Sequence, residues 1–523
     1  MGHLIRDGVI IGGTNVYVDN TLSTTSENPV QNKVITNELN NKVNISDLSN
    51  VATTGDYNDL IDKPTIDNTL SNQSTNAVQN KVVTNSLNQK YPFNYDICLS
   101  LDEWEALGNE KYTDHKNYYI YDADMNPDTV IYGFRIDPDE SDPSACVTYL
   151  EDAVNMIPAH MDSSTFNYGS WQDAFFMPKP CMVKYDGTVD YYLDPNDYTK
   201  KIDGTTSDVT NVSYEGNAMI EWPLIWWKYE QGTSEGEGYF YCSNKKVDSS
   251  YNCWCNINCD NQIVEHFYTA IYNGTGTEKL RSISGIALTS ANGNGGTTYA
   301  QESTRALANN TTAKTEWFID VWSDRMLING LLILMGKSLN TQAVFGRGLD
   351  TGSQTAKEAY VTGTLNDKGL FWGNISAGTS GVKVFGMENW YSCVWHRTAG
   401  LIGGANSQYA YKMTWGTYDG TTATGYNTTA TGYKTVGTRP ATGYLNKATF
   451  GQFGYLPVVT SASSASTYYC DYYYNDIGFA LVGGNATNGA SDGASCVGLH
   501  IGEGAVGWNV AAALTLKPLA KLT

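Results

Sequence analysis

VFGMENWYSCVWHRTAGLI, spanning Val384 to Ile402, is the stretch on which the reading of the C-terminal part turns. Cys393 and His396 lie three apart in it and invite a thiol–imidazole reading. On a strand or turn that spacing need not bring the two side chains together, and no third group is at hand to orient the imidazole. They read instead as packing residues of a buried segment. The other histidines are scattered, and the chain contains no P-loop or H-E-x-x-H. No catalytic set is expected. Paired carboxylates for glycoside cleavage can come from distant strands, and the chain shows no long runs of β-solenoid repeats.

Working outward from this stretch, the chain from about residue 115 alternates Tyr, Val and Ile runs with Asp-Gly, Asn-Gly and Gly-Gly steps. That pattern predicts short strands and hairpins, most clearly in YGFRIDPDESDP (132–143), PCMVKYDGTVDYYLD (180–194) and NAMIEWPLIWWKYE (217–230). One long helix is predicted at Thr315 to Met335, with Trp317, Phe318, Val321, Trp322, Leu327, Ile328, Leu331, Leu332 and Met335 on one wide apolar face. A shorter helix is predicted at Leu101 to Leu107, capped by Ser100. Few helices among many short strands is an α+β class rich in β-structure.

Toward the N-terminus the physics changes. Residues 1–90 hold only two aromatics, Tyr17 and Tyr57, whereas the whole chain carries 13 Trp, 37 Tyr and 14 Phe. So few large apolar groups can hardly build a core within one chain. NTLSTTSENPVQNKVITNELN (Asn20 to Asn40) recurs as NTLSNQSTNAVQNKVVTNSLN (Asn68 to Asn88), 48 residues on. Each copy predicts an extended lead, a turn and a helix with a thin apolar stripe: Val30, Val34 and Leu39, then Val78, Val82 and Leu87. Such a stripe suits a short bundle between parallel chains. The expected organisation is an attachment segment at 1–19, a fibrous oligomeric stalk at 20–90, a connector at 91–130 and a β-rich domain at 131–523.

The net charge of −21 argues against nucleic acid and against docking on an anionic bilayer. The most apolar stretch, Leu327 to Met335, is too short to span a membrane. Met1 to Asn20 offers only Val9-Ile10-Ile11, without a signal-peptide core. Synthesis in a cytoplasm is the expectation, with any release by a route other than secretion, such as lysis. Cys253, Cys255 and Cys259, with Cys242 and His266 near in sequence, would permit zinc. Their spacing departs from the usual knuckles, and reduced, partly buried thiols are the expected state. Asp137, Asp139, Glu140 and Asp142 would suit calcium, yet Pro138, Pro143 and the missing EF-hand spacing favour a solvated turn. No cofactor is expected.

SENPVQNKVI (26–35) and GDYNDLIDKPTI (55–66) resemble stalk repeats of tailed-phage fibre proteins, which implies a homotrimer, attachment to other virion tail proteins through the N-terminus, and residence in a tail or fibre. The GMEN-x5-W pattern of Gly386 to Trp395 resembles phage proteins with a C-type-lectin-like fold, an architecture shared with the variable proteins of diversity-generating retroelements. YLPVVTSASSASTYYCDYYYND (455–476), GFALVGGNATNGASDGASCVGLH (478–500) and WNVAAALTL (508–516) are similar to that family's last hairpins and closing strand. The resemblance implies an adhesin whose receptor face follows the Gly483-Gly484 step, at Asn485, Thr487, Asn488, Ser491, Asp492, Ser495 and His500. Family members often place a large aromatic just past that step, where this chain has Asn485-Ala486, so a shallower and more polar face follows. From the residues alone, a Gly/Asn/Ser/Thr loop beside a Tyr-rich strand, Tyr473 included, has the make-up of a paratope, with at least half of the rings expected in the core.

Overall fold

The computed structural model describes residues 129–519 apart from 164, 289–296, 352–359, 405, 416–432 and 503, and before them 5–6, 9–10, 18–22, 24–26, 32–42, 66–67, 77–78, 97–100 and 118–121. The chain divides into two compact units, Met1–Tyr95 with Asn109–Asn117, and Asp96–Gly108 with Tyr118–Thr523. In the first, the helical half of the first repeat forms an 11-residue helix, Asn32–Lys42. Val34 is half-buried there, while Ile35 and Leu39 stand 40% and 60% exposed. In the second copy Val78, expected on the helical stripe, lies instead in a two-residue strand, Ala77–Val78, paired in parallel with Ile66–Asp67; the rest of the helix expected there, and the one at Leu101 to Leu107, lie outside the described residues.

The second unit is β-rich with few helices. The Asp186-Gly187 turn joins the hairpin Lys179–Lys184/Val189–Asp194, whose first strand buries the continuous run from Pro180 to Val183. It joins a seven-stranded sheet that starts at Asp197–Lys201, beside Val189–Asp194, and continues past Lys179–Lys184 through Gly216–Trp222, Phe267–Ala270 and Leu514–Leu516 to Trp317–Ile319. A four-stranded antiparallel sheet comprises Trp226–Gln231, Gly238–Ser243, Ile131–Ile136 and Val147–Glu151 in that order. The largest sheet runs Lys434–Val436, Tyr409–Tyr411, Trp395–Gly403, Phe479–Val482, Val497–Ile501, Tyr472–Tyr474 and Gly443–Tyr444, with Val510–Ala511 alongside Trp395 and His396.

The long helix starts later than its periodicity predicts. Trp317–Ile319 is a strand paired with Leu514–Leu516, and the helix runs Trp322–Gly336. Trp317 and Phe318 fit a helical face and a strand equally well, and a partner strand nearly 200 residues downstream decides between them. Nor is one face alone apolar against the core: all fifteen helical residues are buried, as expected for a helix enclosed on every side. Gly330 allows the close approach to the four-stranded sheet, because a Cβ there would lie 2.5 Å from the Tyr229 hydroxyl and 2.7 Å from the Phe240 ring. The helix's polar residues are partnered. Asp324 pairs with Lys517 at 2.8 Å and Arg325 with Asp320 at 2.6 Å. Asn329 donates to the Ala494 carbonyl and accepts from the Trp390 indole.

The Val384–Ile402 stretch is therefore a buried hub. Glu388 accepts backbone N–H groups from Gly363 and Leu365. Cys393 packs in a small cluster with Leu288, Tyr360, Val394 and Ala511. His396 is hydrogen-bonded through Nδ1 to Arg325. Burial, reinforced by that guanidinium, holds the imidazole well below its ordinary pKa. No helix among the described residues is long and apolar enough to cross a membrane.

Candidate functional site

In a strand, successive side chains point to opposite faces. Along Tyr472–Tyr474 this puts Tyr473 inward with no exposure, packed toward Tyr409, while Tyr472 and Tyr474 face outward and are half-buried. Tyr473 was expected on the receptor face; its parity places it in the core. The outward rings form a continuous ledge across three strands. Tyr444 meets Tyr472 edge-on at 4.9 Å, Tyr472 meets Tyr474 at 4.7 Å, and Tyr474 meets His500 at 4.8 Å. Trp395 lies beneath Tyr474 and His500, 5.8 Å from each. Gly498, in register with Tyr474, keeps the slot open, since a Cβ there would come within 2.7 Å of His500 Nδ1. Burial raises the Tyr474 hydroxyl to about 12 and lowers the His500 imidazole, so these two rings are uncharged at neutral pH. Tyr472, Tyr474 and Tyr444 are contributors that residue type alone did not single out. The signal for the first two was the two-residue period of the Tyr run.

The loop after the Gly483-Gly484 step is built on an internal carboxylate. Asp492 is fully buried and accepts the Asn485 N–H at 3.1 Å. Gly484 has φ +78°, and a Cβ there would lie 1.7 Å from Asp492 Oδ1, so glycine is what lets the carboxylate sit under the turn. Asn485 in turn accepts from the Thr487 N–H and hydroxyl at 2.9 and 2.8 Å. Ser495 exchanges a 2.6 Å hydrogen bond with Tyr455, and its N–H donates to Asp471. Asn485, Asp492 and Ser495 were expected to touch a receptor. All three are buried, because each satisfies backbone or hydroxyl groups that the tight loop would otherwise strand. They hold the face and do not form it.

Thr487 and His500 are exposed, and Asn488 and Ser491 are half-buried. Two hydrogen bonds join loop to ledge: Asn488 Nδ2 donates to the Tyr474 hydroxyl at 3.0 Å, and Ser491 and Tyr444 share one at 3.0 Å. The result is a row of aromatic faces rimmed by amide and hydroxyl groups, chemistry suited to binding a ligand that is apolar on one side and hydrogen-bonding on its edge.

Burial, then Asp350 and Asp471, hold the Asp492 carboxyl well above its usual range. A carboxyl whose folded-state pKa is raised binds its proton more tightly folded than unfolded. Its ionisation therefore costs stability as pH climbs from the unfolded value, about 3.9, through the folded one. Asp492→Asn keeps the Oδ1 acceptor and is expected to melt higher than the parent at pH 7, with the gap narrowing toward pH 4. Thermal melts across that range test this; an equal loss of Tm at both pH values would refute it.

Cys253, Cys255 and Cys242 are buried and Cys259 is partly so. Burial pushes the Cys253 thiol up to about 12 and Cys242 and Cys255 well above the ordinary thiol value. His266 lies beside Glu221, at 3.8 Å. In the acidic loop, Asp142 caps the Ser144 and Ala145 N–H groups, Asp137 accepts from Asp139, and Glu140 from Asp142. Among the described residues no three His, Cys, Asp or Glu side chains converge as a metal site. Compared with protein-family models and with curated proteins, the sequence matches none.

Proposed function

We propose that this protein is a virion adhesin of a tailed phage, gripping a host-surface receptor, glycan or protein, through the Tyr444–Tyr472–Tyr474–His500 ledge and its rim of Thr487, Asn488 and Ser491. The ledge carries the reading: four rings in contact, half-exposed on one sheet face and hydrogen-bonded to a Gly/Asn/Ser loop, have the composition of a recognition surface. In this reading residues 131–523 are a C-type-lectin-like domain on a homotrimeric stalk whose N-terminus joins other tail proteins, and the chain has no enzymatic role. Ile35 and Leu39, exposed on the Asn32–Lys42 helix, support the stalk, because parallel copies of the chain would cover them. Three tips on one stalk raise avidity by roughly 10² or more without any new contact.

A second reading is a virion packing protein without a receptor. The burial of Asn485, Asp492 and Ser495 favours it, because half of the loop serves the fold. The two separate in one experiment. Purified protein is expected to compete with virions for adsorption to host cells, and a swap confined to the exposed and half-buried residues 487, 488, 490 and 491 should abolish competition while leaving the melting temperature in place. No competition by the parent protein favours the packing role. Release of reducing sugar ends from host polysaccharide would favour a depolymerase instead.

A further inference from the structure

The outer face of the four-stranded sheet carries a second pair of rings that the adhesin reading does not use. Along Gly238–Ser243, Phe240 and Cys242 are fully buried while Tyr239 and Tyr241 face outward, half-buried. Their rings are parallel to within 1° with centroids 6.5 Å apart. Tyr241 is in register with Gly133 on the neighbouring strand, and a Cβ on Gly133 would come within 2.6 Å of the Tyr241 ring. The ring thus leans over a residue with no side chain. The two tyrosines line an open groove of about 570 Å³ together with Lys228, Glu230, Ser250 and the Gly451–Gln452 turn.

The groove's charges are compensated. Lys228 Nζ lies 2.9 Å from Glu230 and 5.0 and 4.8 Å from the centres of the Tyr241 and Tyr251 rings. The Tyr239 hydroxyl donates to Glu237, which Arg135 neutralises at 2.8 Å. A ligand here meets two aromatic faces, no net charge, and a rim of amide, hydroxyl, carboxylate and ammonium groups. Its volume falls within the range of small-molecule sites.

From this geometry we infer a saccharide-binding groove for a neutral oligosaccharide, with the C–H face of a pyranose against Tyr239 and Tyr241 and its hydroxyls on Glu230, Ser250, Gln452 and Lys228. A pyranose has the required asymmetry, one apolar face and a hydrogen-bonding edge. The chain's charge of −21 disfavours anionic sugars. The groove shares no residue with the Tyr472–Tyr474 ledge and stands or falls separately from it.

The test uses the full chain against an immobilised panel of neutral oligosaccharides of glucose, galactose, mannose and N-acetylglucosamine. At least one is expected to bind, with affinity falling about tenfold or more in Tyr239→Ala and Tyr241→Ala, staying within about threefold in Tyr241→Phe, and unchanged in Tyr474→Ala. Gln452 is exposed on its turn, so Gln452→Trp blocks the groove without touching the core and is expected to abolish binding even if the tyrosine variants fail to fold. Absence of binding to every panel member, binding that survives Gln452→Trp, or binding lost only with Tyr474→Ala overturns the groove. Host adsorption lost in Tyr474→Ala while panel binding persists leaves both sites standing.

Discussion

Arg325→Met is expected to cost about 3–5 kcal/mol of folding stability. The Arg325 side chain has no exposure and its groups are all used. Nε pairs with Asp320 at 2.6 Å, Nη1 donates to the Trp390 carbonyl at 2.6 Å, Nη2 meets His396, and the guanidinium lies 3.5 Å over the Trp390 ring. Methionine fills much of the volume, but it leaves the Asp320 carboxylate, which burial already disfavours, without a counter-charge, and strands a carbonyl and an imidazole nitrogen. Because the loss comes mainly from the orphaned charge, Asp320→Asn/Arg325→Met should be less destabilised than Arg325→Met alone. Urea melts of both variants decide it. A single-variant loss below about 1 kcal/mol, or a double variant worse than the single, would show that the pair is not what ties helix Trp322–Gly336 to the Val384–Ile402 hub.

The other large effect is on binding. Tyr474→Ala removes the ring at the centre of the ledge, where Tyr472, His500, Trp395 and the Asn488 amide converge. A central, half-buried tyrosine of this kind contributes roughly 2 kcal/mol to a protein interface, about 30-fold in Kd per site. In the proposed trimeric virion adhesin several receptors are engaged at once and the deficit compounds, so adsorption of virions carrying the variant should fall by more than the single-site factor. Tyr474→Phe keeps the ring, loses only the hydroxyl that accepts from Asn488, and should retain most adsorption. Tyr473→Ala, one residue away on the other face, should instead lower the melting temperature, because that ring is in the core. Host adsorption and thermal melts of the three variants separate the outcomes; normal adsorption by a folded Tyr474→Ala virion removes the ledge from receptor binding.

The Tyr run shows how far sequence carried the site. Five tyrosines within seven residues, beside a loop of Gly, Asn, Ser and Thr, marked the region. Which rings look outward followed from a strand boundary that the run itself does not reveal, and a shift of one residue exchanges the two faces. Residue type misled in the loop for a related reason. Asn485, Asp492 and Ser495 are as polar as Thr487 and Asn488, and only the folded chain supplies the backbone N–H groups and the Tyr455 hydroxyl that draw them inside. Helix Trp322–Gly336 was legible from its apolar density, whereas its start was not, because Trp317–Ile319 is claimed by Leu514–Leu516.

By itself the sequence determined the β-rich class with its one long helix, the change in composition near residue 90, and the position of the aromatic and polar C-terminal segments, since these follow from local alternation, periodicity and residue type. Tertiary structure alone decided which polar groups are internal and which charges are paired: Arg325 with Asp320 and His396, Lys517 with Asp324, Asp492 under the Gly483-Gly484 step. The reason is that desolvation is set by partners far along the chain. A carboxylate or amide carries the same hydrogen-bonding groups in either place, and only the fold determines whether protein or water satisfies them.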